Sequence, residues 1–298
     1  MSAPAAIGVV RRPLWRRSAA VMGTVASVAV RGSAEPGDGA LERAWAAAIG
    51  ELRWVDEVFS TYRPASVVNR WGRGELALAD APAELAEVLA IAARARVESN
   101  GAFDIAAVRS PHGGGPDPSG VVKGWAVERA ARHLEALGRG DFCLSVGGDL
   151  VCRVASPDSP AWRIGVEHPD DPTRLLATVA LGDAALATSG SARRGAHIRD
   201  PRREGARWSP RGRAVVAEGA RDGLREGVTG HLLRQVTVIG PRLTEVDIEA
   251  TAAVVLGPEA GDWLAARGRT AVLVDDAGAV RLLGADDAAL CSSGTLTA

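Results

Sequence analysis

Two oxygen-bearing side chains, Asp247 and Thr251, stand four residues apart near the C-terminal end of the sequence. In a helix this spacing places both side chains on one face. A carboxylate and a hydroxyl are hard oxygen donors of the kind that Mg²⁺ prefers. Two plainer interpretations stay open at this point: Asp247 as a cap of its own helix, and a Thr251 hydroxyl bonded to the carbonyl one turn back.

The surrounding stretch, residues 235–258, predicts the elements that position this pair. Residues 235–239 alternate β-branched and polar side chains as a strand does, and a Gly-Pro pair ends that strand. Thr244 with Asp247 three residues later is typical of a capping box at a helix start, and a second Gly-Pro pair ends the helix. The sequence therefore predicts a strand, a turn and a helix that carries Asp247 and Thr251.

Two further residues have chemistry that suits phosphate or proton transfer. Lys123 follows a glycine-containing turn and is predicted at a helix N-terminus, where an ammonium and free N–H groups together favour an anion. A plain surface lysine is the alternative. His197 is of the type best suited to acid–base work near neutral pH, although a lone histidine is more often structural or solvated. Walker A, GxGxxG and GxSxG motifs are absent from the sequence.

Composition excludes several classes of protein. The chain has 298 residues and a formal net charge of -1, so it has no general attraction for nucleic acid or anionic membranes. Its three cysteines lack CxxC spacing, which argues against a disulfide framework or a zinc site. No apolar run approaches the roughly 20 residues of a membrane span.

The N-terminal region has two interpretations. Arg11, Arg12, Arg16 and Arg17 precede a largely apolar run, as in a secretory signal. That run alternates small or polar with apolar residues, which favours a first strand at residues 21–30 after an irregular or extended arm at residues 1–20. We therefore expect a cytoplasmic protein, with an exported or membrane-associated location as the alternative.

The remaining pattern predicts an α+β fold with mixed, mostly antiparallel sheets and packed helices, because strands and helices do not alternate strictly as βαβ units. Long helices are predicted at residues 40–58, 82–99 and 125–137, and a hairpin at residues 142–154 around Gly147-Gly148-Asp149. A polar, Arg-rich stretch at residues 202–231 is predicted to be an insertion loop.

An ordered set of short motifs gives the sequence a specific resemblance. Over residues 21–284 it resembles the ApbE family of flavin transferases (FAD:protein FMN transferases), which predicts one domain over that range. The motifs are MGT (22–24), FSTY (59–62), SVVN (66–69), GAFD (101–104), DPSGVVKGWAVERA (117–130), SVGGDL (145–150), WRIGVEHP (162–169), LATSG (186–190), HIRDP (197–201) and VDIEAT (246–251).

The resemblance implies a fold, an activity and a set of site residues. It implies an ApbE-like fold and Mg²⁺-dependent transfer of the FMN half of FAD to a Ser or Thr of an acceptor flavoprotein, with release of AMP. His197 is implied as the base, and Asp247, Thr251 and the Gly120 carbonyl as metal ligands. The residues implied to contact FAD are Met22, Tyr62, Ala102, Phe103, Asp104, Asp117, Lys123 and Ile198.

Two other functions stay open beside flavin transfer. A Mg²⁺-dependent FAD pyrophosphatase would use water in place of the protein hydroxyl and release FMN and AMP. A non-catalytic FAD-binding protein would hold the dinucleotide without cleaving it. These alternatives follow from how readily one fold changes its function.

Overall fold

The structure is a computed structural model, and it describes residues 14–32, 38–138, 140–190, 232–284 and the backbone of 290–292. His197, Ile198 and the predicted insertion at residues 202–231 lie outside the described residues.

The described residues contain six α-helices. They are α1 (Gly39–Phe59), α2 (Val67–Gly72), α3 (Ala83–Glu98), α4 (Ser119–Glu135), α5 (Leu243–Leu256) and α6 (Ala260–Ala265), with single 3₁₀ turns at Leu78–Asp80 and Gly257–Glu259. The strands are β1 (Leu14–Val21), β2 (Thr24–Arg31), β3 (Asp141–Val146), β4 (Asp149–Arg153), β5 (Trp162–Glu167), β6 (Leu175–Leu181), β7 (Ala184–Gly190), β8 (Gln235–Gly240), β9 (Thr270–Val274), β10 (Val280–Leu283) and β11 (Leu290–Ser292).

Within the described residues the strands form two sheets. The larger sheet has the order β1-β2-β3-β4-β7-β8-β9-β10, and the smaller has the order β11-β6-β5. All the strand pairs in both sheets are antiparallel. The predicted α+β class with mostly antiparallel sheets is therefore confirmed.

The larger sheet lies between a layer of helices and the smaller sheet. On one face, α1, α4 and α5 pack against it around residues such as Leu144, Val151 and Val238. On the other face, Leu150 and Leu186 pack against Val166 and Val179 of the smaller sheet. Side chains alternate along each strand, so neighbouring residues of β4 face opposite layers.

The first strand begins earlier than the sequence predicts. Residues 14–20, predicted as part of an irregular or extended arm, form β1 together with Val21 and pair with β2 at the edge of the larger sheet. The strand predicted at residues 21–30 corresponds to β2, which begins at Thr24 after a turn. Most of β1 is exposed, and Arg17 forms an ion pair with Glu42 of α1. Because an edge strand with one buried side lacks a continuous apolar pattern, the sequence did not reveal it.

Helix α4 also begins earlier than predicted. It was expected from Trp125, but it starts at Ser119, so Gly120 and Gly124 lie inside its first two turns. The Asp117 carboxylate accepts a hydrogen bond from the Ser119 N–H at 2.9 Å and steadies this start. Lys123 is consequently the fifth residue of the helix, and the prediction that it lies at the N-terminus is wrong.

The length and apolar character of a helix determine whether it could cross a membrane. In the parts of the chain that the structure describes, no helix combines the length and apolar character needed to cross a membrane.

Candidate active site

Asp247 reaches from α5 to the backbone of α4. Its Oδ2 accepts a hydrogen bond from the Gly124 N–H at 2.9 Å, and the residue is only 2% exposed. A Cβ at position 124 would lie 2.8 Å from the Leu243 carbonyl oxygen and 3.0 Å from the Asp247 Cβ. Glycine at 124 therefore lets the two helices approach until the carboxylate meets the main chain.

The capping interpretation of Asp247 is wrong. Helix α5 starts at Leu243 after an extended Arg242, with no side-chain cap. Thr244, predicted as the cap, lies inside the helix, where its hydroxyl donates to Glu128 Oε2 at 2.6 Å. Glu128 of α4 accepts the Thr244 hydroxyl proton, and Asp247 is the fifth residue of the helix, so no capping box forms. Asp247 does not cap the helix and instead faces the α4–α5 contact.

Thr251 lies one turn further along the same face of α5. Its Oγ1 is 3.0 Å from the Ser189 Oγ on β7, and either hydroxyl can donate in this pair. The hydroxyl therefore engages a side chain across the helix–sheet interface. Asp247 and Thr251 line the same cavity, as their spacing predicts.

Lys123 contributes an ammonium between two buried carboxylates. Its Nζ forms an ion pair with Asp149, at the start of β4, and lies 3.7 Å from Oδ1 of Asp247. Asp149 is 1% exposed, and its Oδ1 accepts from the Thr188 N–H at 3.1 Å. Two acids and one ammonium leave this group with a formal charge of -1, which suits a further cation.

These groups open onto one cavity of about 790 Å³ between the helices and the ends of the strands. That volume lies in the range of small-molecule and cofactor sites. Nine of the residues implied by the family resemblance line it. They are Tyr62, Ala102, Phe103, Asp104, Asp117, Gly120, Lys123, Asp247 and Thr251.

The loop after α3 forms one wall of the cavity. Asn100 and Gly101 have φ values of 50° and 78°, a left-handed turn that ends the helix and directs residues 102–104 inward. The Phe103 N–H donates to Ser99 Oγ at 2.9 Å, and its ring closes the space above Gly120, where a Cβ would lie 3.0 Å from Phe103 Cε2. Glycine at 120 thus lets the Phe103 ring pack directly against the first turn of α4 at the cavity wall.

Two acidic residues of the wall are already engaged in local structure. Asp104 accepts from the Ala106 N–H at 2.9 Å and pairs with Arg96 Nε at 2.7 Å. Asp117 holds the start of α4, as described above. Both carboxylates therefore shape the cavity through the loops that they fix.

A buried asparagine holds the turn that carries Tyr62. The Asn69 side-chain amide donates to the carbonyl oxygens of Ser60 (3.3 Å), Thr61 (3.1 Å) and Arg63 (2.8 Å). Its Oδ1 accepts from the Ser110 hydroxyl. The Tyr62 side chain itself is 80% exposed, so its ring is available to cover a ligand.

Of the other three implied residues, the structure describes only Met22, which does not line this cavity. Met22 lies in the β1–β2 turn with φ 52° and lines a separate cleft of about 650 Å³ beside Arg53 and Glu57. Thr24, the first residue of β2, does lie beside the main cavity, because a Cβ on the cavity-lining Gly147 would lie 3.1 Å from Thr24 Oγ1. His197 and Ile198 lie outside the described residues.

Sequence reasoning missed Asp149 and Ser189 as site residues. The sequence indicated Asp149 only as part of a glycine-rich hairpin turn. Asp149 is, however, the first residue of the apolar segment DLVC, and a carboxylate buried with that segment needs a polar partner. Its partner could have been recognised from composition, because Lys123 is the single lysine of the sequence and all the other Lys or Arg positions are arginine. A compact ammonium at one position is a specific requirement, since guanidinium and ammonium groups are not interchangeable.

The donor set fits a hard divalent cation. Asp247 and Thr251 offer a carboxylate and a hydroxyl oxygen at the cavity wall. In a regular helix the Gly124 N–H donates to the Gly120 carbonyl, and here that N–H donates to Asp247. Among the described residues, no group of three or more His, Cys, Asp or Glu side chains could hold a metal. Such a sparse protein set suits Mg²⁺, which keeps waters and binds substrate phosphates as further ligands.

Comparison with known proteins gives consistent matches. The profile of the ApbE family matches residues 22–110 and 108–216, more than half of the chain. A Klebsiella pneumoniae protein named FAD:protein FMN transferase is 31% identical over 152 residues, which is 48% of this chain and 37% of the relative. A Vibrio cholerae protein of the same name is 33% identical over 94 residues, 28% of each chain. The matches thus span well under half of these relatives.

Solved structures match the fold over most of the chain. The flavin transferase ApbE of Vibrio cholerae has a TM-score of 0.67 at 20% identity, and the match covers 91% of this chain and 97% of that one. The apo flavinyl transferase ApbE of Pseudomonas stutzeri has a TM-score of 0.67 at 22% identity, with 91% and 96% covered. At these identities the likeness concerns the fold alone.

Proposed function

This chain belongs to the ApbE family, and on that premise we propose that it transfers the FMN half of FAD to a Ser or Thr hydroxyl of an acceptor protein and releases AMP. The relatives matched above carry the name FAD:protein FMN transferase. The proposal extends that activity to this chain because its own residues supply the chemistry that the reaction needs.

The reaction breaks a phosphoanhydride bond in FAD and forms a phosphoester bond to the acceptor hydroxyl. Negative charge on the phosphoryl oxygens must be stabilised during this transfer, and positioned cations supply most of that stabilisation. The Lys123 ammonium faces the cavity and is held there by Asp149. We assign it to a phosphoryl oxygen of the dinucleotide.

We propose that Asp247, Thr251 and the Gly120 carbonyl hold Mg²⁺. When bound, the ion would neutralise diphosphate oxygens and act as a Lewis acid in the transfer. The protein's part is to fix the donors: Gly124 orients the Asp247 carboxylate, and Ser189 orients the Thr251 hydroxyl. Gly120 lines the cavity with its backbone, and the Phe103 ring packs against it.

The remaining assignments follow from the motifs. We propose that the Tyr62 ring stacks on a flavin or adenine face, and that Ala102, Phe103, Asp104, Asp117 and Ile198 line the dinucleotide site with Met22 at its border. His197 is proposed as the base that takes the proton from the acceptor hydroxyl, a contribution of typically 10²–10⁴-fold. A cytoplasmic location stays a prediction from the sequence.

One observation carries the proposal: Lys123, Asp247 and Thr251, from two helices far apart in sequence, line a single cavity of cofactor size. This convergence supplies an ammonium and hard oxygen donors beside an exposed aromatic ring. It is the combination that a flavin dinucleotide and a divalent cation require together.

The test combines two products in one assay. Purified protein is incubated with FAD, Mg²⁺ and a cell lysate as the source of acceptor, and AMP is measured by chromatography while labelled protein is detected by in-gel flavin fluorescence. The proposal expects AMP and a fluorescent band, both lost when EDTA removes the divalent cation. AMP with free FMN and no band would instead identify a pyrophosphatase, and bound FAD without AMP would identify a carrier.

Two variants make the assay specific to the site. Asp247→Asn keeps the shape of the side chain and an oxygen that can accept from the Gly124 N–H, but it removes the charge that a cation needs. We expect AMP release to fall by roughly 100-fold or more, as when an enzyme loses one electrostatic contact to its transition state. Asp262→Asn is the matched control, since the Asp262 side chain on α6 is 97% exposed. Equal activity of the two variants would exclude Asp247 as a metal ligand.

A further inference from the structure

Two cysteines face each other in the hairpin that carries Asp149. Cys143 of β3 is the direct partner of Cys152 of β4 across the strand pair. Val146 and Asp149 flank the two-residue turn, so they form a hydrogen-bonded pair, and alternate pairs outward are non-hydrogen-bonded. Cys143–Cys152 is therefore a non-hydrogen-bonded pair, with Cα atoms about 4.5 Å apart. That distance lies within the range of about 4.4–6.8 Å that a disulfide spans.

The two thiols differ in access. Cys152 is completely buried in the layer between the two sheets, among Leu150, Val166 and Leu186. Cys143 packs at the border of the same layer and is partly exposed. A small reagent from solvent therefore meets Cys143 first, and Cys152 lies directly behind it.

The surroundings lower the pKa of the partly exposed thiol. A hydrogen bond from the Cys152 thiol and the nearby Arg31 guanidinium lower the pKa of Cys143, against the effect of burial. The same hydrogen bond, followed by burial, raises the pKa of Cys152. Arg31 is fixed by stacking on Trp162, 3.8 Å from its ring centroid, and by Asp141 at 3.5 Å. The pair thus combines a partly exposed thiol of lowered pKa with a buried thiol of raised pKa directly across the strand pair, an arrangement that suits redox-sensitive cysteines.

We propose that Cys143 and Cys152 form an oxidisable dithiol site that a peroxide converts into a cross-strand disulfide. The Cys143 thiolate attacks one oxygen of hydrogen peroxide, which breaks the O–O bond, forms a sulfenic acid and, with one proton, releases water. The Cys152 sulfur then attacks the Cys143 sulfur, its proton leaves with the hydroxyl group as a second water, and the S–S bond forms. Two thiols are oxidised by two electrons in all, and one peroxide is reduced to two waters.

The sequence around the pair allows an unambiguous test. The folded protein is treated with hydrogen peroxide and the peroxide is removed. The chain is then unfolded in denaturant so that N-ethylmaleimide blocks every free thiol, and it is cleaved afterwards. Trypsin cuts after Arg139 and Arg153, so residues 140–153 form one peptide that contains both cysteines. We expect this peptide to lose the mass of two hydrogens and to carry no maleimide. Further cleavage before Asp149 should give two peptides that stay joined until a thiol reductant separates them.

Variants in which one cysteine is replaced by serine show which thiol reacts first. In Cys152→Ser, Cys143 has no partner and should proceed to the sulfinic acid, whereas in Cys143→Ser the buried Cys152 should resist oxidation under the same conditions. Cys291→Ser is the matched control and should form the disulfide as the wild type does. Full maleimide labelling of Cys143 and Cys152 after peroxide treatment of the wild type would overturn the proposal, as would a disulfide to Cys291. The wild-type measurement decides the question even if a variant fails to fold.

Discussion

The Gly124 main-chain N–H on α4 donates to Oδ2 of Asp247 on α5 at 2.9 Å. This bond couples the two helices that carry the proposed metal ligands, since Gly120 lies one turn before Gly124 and Thr251 one turn after Asp247. It also gives Asp247 a fixed orientation in a nearly closed environment. A substitution at the donor residue should therefore disturb the site without removing any of its functional groups.

Gly124→Ala is the first prediction. The added methyl would lie 2.8 Å from the Leu243 carbonyl oxygen, so α5 must move away from α4. Overpacking of this kind typically costs 1–3 kcal/mol of unfolding free energy, and we expect AMP release to fall more steeply than stability. Urea denaturation and the AMP assay check the two effects separately.

The matched control is Gly50→Ala in the middle of α1. A Cβ there meets no atom within 4 Å, so the change should stabilise the protein by about 0.5–1 kcal/mol through helix propensity and leave activity unchanged. If Gly124→Ala behaved like Gly50→Ala in both assays, the helix contact would not control the site.

Lys123 gives the second prediction. Lys123→Met leaves Asp149 and Asp247 without the ammonium between them, and we expect a loss of about 1–3 kcal/mol, below the value for a fully buried pair because the lysine is 19% exposed. Adding Asp149→Asn to this variant should restore part of the loss, because one uncompensated charge is removed. A double-mutant cycle in urea measures the coupling, and additive effects would contradict it.

Lys123→Arg separates charge from shape at the same position. The guanidinium keeps the positive charge but is planar and larger than an ammonium. We expect unfolding free energy closer to the wild type than that of Lys123→Met, with AMP release still strongly reduced. Wild-type turnover in Lys123→Arg would show that charge alone suffices.

Asn69 supports the third prediction, which concerns a positioning residue. In Asn69→Asp, a carboxylate would face the carbonyl oxygens of Thr61 and Arg63 in place of a donor. We expect a loss of roughly 2–4 kcal/mol of unfolding free energy and a weaker affinity for FAD, because the turn that carries Tyr62 loses its anchor.

Ser66→Ala is the control for Asn69. The Ser66 hydroxyl accepts from the Asn69 N–H at 3.3 Å as the N-cap of α2, so its loss should cost about 1 kcal/mol without touching the Tyr62 turn. Equilibrium titration of FAD fluorescence on both variants, below their unfolding transitions, compares the affinities. Equal affinity would remove Asn69 from a positioning role.

The sequence predicted local features better than contacts between distant elements. The strand, turn and helix around Asp247 follow from Gly-Pro pairs and periodicity, and the hairpin at Gly147-Gly148 follows from its turn residues. The start of α4 was missed because Gly120 and Gly124 are helix breakers by propensity alone. Both glycines are needed for tertiary packing, because Phe103 packs closely against Gly120 and helix α5 packs closely against Gly124.

The ion pair of Lys123 with Asp149 was beyond sequence reasoning for a similar reason. The two residues are 26 positions apart on a helix and a strand, and only the packing of α4 on the larger sheet brings them together. The capping interpretation of Thr244 failed in the same way, since Glu128 on α4 competes for its hydroxyl. Local patterns predict which elements form, whereas buried polar partners depend on how those elements pack.

Tyr62 gives the last prediction, because its exposure separates binding from stability. The side chain is 80% exposed, so Tyr62→Ala should change the unfolding free energy by less than about 0.5 kcal/mol. Stacking of an aromatic ring on a base is worth about 1–3 kcal/mol, so FAD affinity should fall about 5- to 150-fold. Tyr62→Phe keeps the ring and should bind FAD nearly as the wild type does. Unaltered affinity in Tyr62→Ala would mean that the ring does not cover the bound dinucleotide, whereas a parallel loss in Tyr62→Phe would assign the contribution to its hydroxyl.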